Sequence, residues 1–243
     1  MFWDLFYFGP WSILILLPGL LLGIYAQARV SSTYNKYGRI GSQNGITANL
    51  VAREMLNKAD IHNVSVTQIA GKLTDNYNPK TETVSLSQGV YDSTSVASIG
   101  IAAHEIGHVI QKHKGYFPMK VRSFLVPVIN FGNMAFVPLL LVGLLIEMFA
   151  NQVTGISNFL INLAVFSYGL ATVFAFITLP VEFNASRRAK KLLVANGILS
   201  TDEARQAGKV LDAAALTYVA GFLTSLLYFL RFILIVGRMR NDN

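Results

Sequence analysis

Two runs, 123–146 and 157–181, limit what this chain can become. Each is apolar around its whole circumference and exceeds the roughly 20 residues that a helix needs to cross a bilayer. The interval 147–156 is too short for a domain, so the runs form a hairpin and residue 182 returns to the side that residue 122 left. Asn130 and Asn133 inside the first run are expected to face other helices, because an unpaired amide in lipid is costly. Two more runs extend the pattern. The one from Trp11 to Ala28 follows a cluster of interfacial aromatics (Phe2, Trp3, Phe6, Tyr7, Phe8) and is broken only at Pro18 and Gly19. No Lys or Arg precedes Arg29, which disfavours a cleavable signal peptide and predicts an uncleaved first span, kinked near Pro18. The other, 213–236, reads as a fourth span, in which Arg231 must snorkel or pair. A hydrophobic fraction of 53% against 14% charged residues agrees with a membrane protein.

Charge orients these spans. The net charge of +7 could suggest nucleic acid, but no basic stripe with interleaved aromatics occurs, so no nucleic-acid partner is expected. Of 20 Lys and Arg, 17 lie in 29–122 and 187–209. With four spans these segments share one side, and the positive-inside rule makes that side cytoplasmic. The expected location is a bacterial cytoplasmic membrane, crossed several times.

The only long polar region, 29–115, predicts an α+β layout. Gly38, Gly41 and Gly45 suggest a flexible lead-in. Thr47 caps a helix to about Ala59, with Leu50, Val51, Met55 and Leu56 on its apolar side. Residues 61–69 and 81–86 alternate as strands around a turn cluster at Asp75–Pro79. Ser95–Lys114 then reads as a helix of about five turns carrying His104-Glu105-Ile106-Gly107-His108. Residues four apart project from one face, so both imidazoles can bind one zinc ion, while Glu105 lies about 100° away and can reach a metal-held water as general base. Chance supplies this pattern in only about 1% of chains this long.

A catalytic zinc takes three protein ligands, and with no cysteine in the chain the third is His or carboxylate. His113 lies about 140° off the ligand face, and His62 reads as a solvated surface residue. Glu54, Asp92, Glu182 and Asp212 remain. Glu182 stands out because a carboxylate at the mouth of an apolar helix needs a partner, presented from the first turn of a following helix. Arg187 and Arg188 are the alternative partners to a metal. Residues 182–196 predict a helix stopped by Gly197, and Ser200–Glu203 a capping box that opens the next.

The chain resembles the YugP-like neutral zinc metallopeptidases, a family of bacterial integral membrane proteins. The likeness runs through Leu73-Thr74-Asp75 with Asn78-Pro79, Leu86-Ser87 with Val90-Tyr91, Ala102–His108, Leu179–Ala189 and Ala215–Val219. The family is similar to HtpX-type and CAAX-prenyl-protease peptidases, whose third ligand is the Glu of a Glu-aromatic-x-Ala-Asp motif. That resemblance places the third ligand at Glu182 and puts Ser186 where those families have the Asp that orients a ligand His.

Together these readings imply a mostly α, α+β protein: about four transmembrane helices and a zincin-like (gluzincin) catalytic domain at the membrane surface. The divisions are 1–28 (first span), 29–122 (cytoplasmic, with the motif helix), 123–181 (hairpin), 182–212 (cytoplasmic helices with Glu182) and 213–243 (fourth span and tail). The implied activity is a zinc endopeptidase with Zn2+ on His104, His108 and Glu182 and Glu105 as base. Protein or peptide substrates are expected, membrane proteins among them. Tyr218 is a candidate oxyanion donor, and the strand near Thr83–Ser87 is a candidate edge for an extended substrate. A site-2-type intramembrane protease is disfavoured by Lys112 and Lys114 at the end of the motif helix and by the absence of an Asn-Pro-Asp-Gly motif. A non-catalytic membrane scaffold with a structural zinc would need a fourth Cys or His ligand, which the pattern does not place.

Overall fold

The computed structural model describes residues 14–241. The aromatic stretch 1–11, the start of the run 11–28 and the end of the tail lie outside them. The elements are α1 (Leu17–Tyr37), α2 (Ala48–Lys58), β1 (Ser65–Ile69), β2 (Asn76–Asn78), β3 (Thr83–Ser87), α3 (Gln88–Tyr91), α4 (Val96–His113), α5 (Phe117–Ala150), α6 (Gly155–Ala195) and α7 (Thr201–Asn241). The fold is mostly helical. Among the described residues three helices are long and apolar enough to cross a membrane: Phe117–Ala150, Gly155–Ala195 and Thr201–Gly237. Pro18 stands in the first turn of α1, where its missing N–H costs little, instead of kinking a helix interior.

Two helices are longer than the hydropathy pattern predicts. α6 continues from its apolar stretch through Pro180 and Glu182 to Ala195, and α7 joins the capping-box helix to the apolar run that follows. A proline inside a helix removes one hydrogen bond without having to end it. The helix ends themselves were legible. Gly197 has φ +68° and the N–H of Ile198 returns to the Leu193 carbonyl at 3.0 Å. The Ser200 hydroxyl and N–H both reach Glu203 Oε2 at 2.8 Å, which is the predicted capping box.

The chain divides into two compact units: the residues up to Ile24 with Val121–Thr178 and Tyr218 onward, and Tyr25–Lys120 with Leu179–Thr217. In the first, apolar helices interlock through aromatics such as Phe136 against Tyr168 and Phe232, and Thr172 meets Ser225 at 2.9 Å. Asn130 and Asn133 are exposed on α5 instead of facing neighbouring helices. The packed face of that helix falls on Ile129, Gly132 and Phe136.

The second unit has its own core, to which Val51, Met55, Val84, Leu86, Ile99, Ile106 and Leu193 contribute. Leu50, expected among them, is exposed. The sheet order is β1-β3-β2, with β1 parallel and β2 antiparallel to β3. β2 falls inside the predicted turn cluster, and the turn comes after it, where Asn78 Oδ1 accepts the Lys80 N–H at 2.9 Å. Asp75 accepts from the Ser87 N–H at 2.8 Å, closing the end of β3 beyond its pairing with β2. The glycine-rich lead-in is pinned by a bridge from Gly41 to Ser95 and a Val96 N–H bond to the Ile40 carbonyl at 2.9 Å. α4 lies within this packing, close against α7 at Gly100 and against α6 at Gly107.

Candidate metal centre

α4 matches its predicted extent. Ser95 caps it, its Oγ accepting the Ser98 N–H at 3.2 Å, and Lys114 closes it. From its face His104 and His108 project edge to face, ring centroids 4.7 Å apart, with their Nε2 atoms separated by 3.1 Å. Glu182 enters from α6. Its Oε2 lies 3.2 Å from His104 Nε2 and 3.4 Å from His108 Nε2. One oxygen and two ring nitrogens thus form a near-equilateral triangle, a group that can hold a metal ion. The Glu182 carboxylate is 2% exposed, His108 8% and His104 15%, so solvent reaches the group at the His104 side. Glu105, next to His104 on the same helix, is buried.

The outer nitrogens of both rings are also engaged. His104 Nδ1 is 3.1 Å from Ser186 Oγ, so the residue expected at the position of the resembled families' Asp touches the ring. His108 Nδ1 is 3.0 Å from Gln111 Oε1. The Gln111 amide nitrogen donates to the Val181 carbonyl at 2.8 Å and to Asn184 Oδ1 at 3.0 Å. Arg188 Nε donates to the same Asn184 oxygen at 2.7 Å, and its guanidinium lies over the Tyr116 ring. Gln111 was not singled out from the sequence, where nothing in its local spacing marks it.

The remaining acidic and histidine candidates lie elsewhere. Glu54 pairs with Lys58 at 2.7 Å, Asp212 with Lys190 at 3.0 Å, and Asp92 accepts from Asn49 at 3.2 Å. His62 is exposed beside Asp60, and His113 is 3.9 Å from Glu82. Glu182 sits in mid-helix instead of opening a new helix, because α6 does not break after Pro180. Thr83–Ser87 is the central strand, so it offers no free edge to an extended substrate; β1 and β2 hold the edges. Tyr218 falls in the other unit and is exposed.

The described chain thus combines helices long and apolar enough to cross a membrane with a two-histidine, one-carboxylate group, and comparison with known proteins gives the family. The model of the family described as "Putative neutral zinc metallopeptidase" matches residues 12–237, and the chain belongs to that family. It is similar to the "Putative membrane protease YugP" of Bacillus subtilis (strain 168), with 38% identity over 231 residues, 95% of this chain and 99% of the relative. No solved structure matches.

Proposed function

We propose that the protein is a membrane-embedded zinc endopeptidase whose metal is held by His104, His108 and Glu182. The triangle of their donor atoms carries this reading. Ligands about 2.0–2.2 Å from a tetrahedral zinc stand about 3.3–3.6 Å apart. The separations here are 3.1, 3.2 and 3.4 Å. Two imidazoles and one carboxylate with no thiolate form a donor set typical of catalytic zinc, which keeps one position open. Family membership supports the same metal.

Zinc bound there supplies Lewis acidity, lowering the pKa of water and polarising a peptide carbonyl. The remaining chemistry falls to the chain. The Glu105 carboxylate takes a proton as water adds to the carbonyl carbon, and passes it to the leaving amine as the C–N bond breaks; such proton transfer contributes about 10²–10⁴-fold in rate. Ser186 and Gln111 contact the far sides of the two imidazoles. Burial of Glu182 and His108 keeps bulk water off the donor atoms.

The polar side is cytoplasmic in this reading, by the positive-inside count, and the substrates are proteins or peptides at that face of a bacterial inner membrane. An intramembrane active site is not favoured, since α4 is not among the described helices of membrane-spanning composition. The test is zinc content and cleavage of an unfolded protein by purified wild type, Glu182→Gln and Glu105→Gln. Loss of zinc in the first variant, with zinc kept and cleavage lost in the second, is the expected result. Full zinc and activity in Glu182→Gln would show that the third ligand is another residue.

A further inference from the structure

Gln111 lies nearly one helical turn beyond His108, is fully buried, and takes no part in the bond-breaking steps above. We infer that Gln111 is a positioning residue that sets the tautomer of His108, so that its Nε2 carries a lone pair toward the metal position. The inference rests on His108 being a ligand, as proposed above, and deepens that reading.

The direction of every hydrogen bond around Gln111 follows from its partners. The Val181 carbonyl, 2.8 Å away, can only accept, so the amide end facing it is the NH2 group. That same NH2 meets Asn184 Oδ1 at 3.0 Å. The Asn184 oxygen is itself identified by Arg188, whose Nε donates to it at 2.7 Å and has no lone pair to offer. The other end of the Gln111 amide is therefore its oxygen, which only accepts. It stands 3.0 Å from His108 Nδ1, so Nδ1 carries the hydrogen. A neutral imidazole protonated at Nδ1 has its lone pair on Nε2, the nitrogen that faces Glu182 and His104.

His104 is held differently. The Ser186 hydroxyl can donate or accept and so accommodates either tautomer. One histidine is preset and the other adapts. The Gln111 bond to Val181 also reaches the residue before Glu182, so one side chain orients the His108 ring and ties α4 to the backbone beside the carboxylate ligand.

The experiment uses the full chain in detergent and measures zinc affinity by competition with a chromophoric chelator. Gln111→Met keeps the length of the side chain and loses its polar atoms. It is expected to weaken zinc binding by about 10- to 100-fold with an unchanged circular dichroism spectrum. Gln111→Glu still accepts from His108 Nδ1 but turns a carboxylate toward two acceptors. It is expected to melt at a lower temperature yet hold zinc within a few-fold of wild type. If Gln111 served only to join two helices, zinc affinity would follow melting temperature and Gln111→Glu would be the weaker binder, which overturns the inference. Wild-type zinc affinity in Gln111→Met overturns it too. A measurement on unsubstituted protein covers variants that do not fold: nitrogen-15 NMR of labelled histidine in the zinc-free protein at alkaline pH. A hydrogen on His108 Nδ1 supports the inference, and one on Nε2 refutes it. A wild type that binds no zinc would sink the ligand assignment, while the NMR result would still decide the role of Gln111.

Discussion

A Cβ placed on Gly107 would stand 2.7 Å from the carbonyl oxygen of Ala185 and 3.1 Å from its Cα. The obstacle is backbone, which cannot rotate aside. Gly107 lies between His104 and His108 and Ala185 one turn beyond Glu182, so this close backbone approach stands beside the carboxylate and the two imidazoles. Gly107→Ala is expected to push α4 and α6 apart, cost about 1–3 kcal/mol and reduce zinc content. Gly221→Ala, which has open space around it, serves as control and is expected to be neutral or stabilising by up to about 1 kcal/mol. Melting temperature and metal content of both variants, measured in one detergent, provide the check.

Ser186 is the predicted departure from the related families, and it reaches His104 at 3.1 Å. Ser186→Ala leaves Nδ1 without this partner while removing only one atom from a buried position. Zinc affinity is expected to fall about tenfold with little change in melting temperature. An unchanged dissociation constant would show that another group orients His104.

The segment between β2 and β3 is fastened to the far end of α4 through Glu82, which pairs with Lys112 and accepts from Tyr77. Burial alone would raise the Glu82 carboxyl. The bonds from Lys112 and Tyr77, with the charges of Lys112 and His113, outweigh it and hold the group below its ordinary value of 4.5. A depressed folded-state pKa gives stability that is present above the unfolded value and lost as pH falls through the folded one. As pH falls below the ordinary carboxyl value of 4.5, melting temperature is expected to drop more steeply for wild type than for Glu82→Gln. Parallel curves would count against the pair.

The capping box at the start of α7 has a second duty, since Glu203 Oε1 also accepts the Gln43 N–H at 2.7 Å. Ser200→Ala is expected to cost about 1 kcal/mol, a shift of about 2–4 °C for a chain of this size. Glu203→Ala releases the Gln43 amide as well and should shift the melting point further. Equal shifts would mean that the Gln43 bond contributes nothing.

What the sequence made legible was local. The histidine pair, the capping box opened by Ser200 and the stop at Gly197 depend on residues within one or two turns, and each stands where expected. Glu182 could be singled out because a carboxylate beside an apolar run is conspicuous. Its mid-helix setting could not, since hydropathy changes near residue 182 while the helix does not. β2 was hidden because Asp75–Pro79 has the composition of a turn and only pairing with β3 makes three of its residues a strand. Gln111 was hidden for the same reason on a longer scale: the acceptors that fix its amide are 70 and 73 residues away.

His104 and Glu182 are 78 residues apart, and the whole of α5 and the apolar part of α6 lie between them. A ribosome delivers the chain in order. The histidine pair therefore exists for the time it takes to synthesise α5 and the apolar part of α6 before its carboxylate partner does. A nascent chain or a fragment ending ahead of residue 182 has two donors and cannot assemble the three-ligand set. The order of residues along the chain thus postpones the complete three-donor group until the intervening hydrophobic helices have been made.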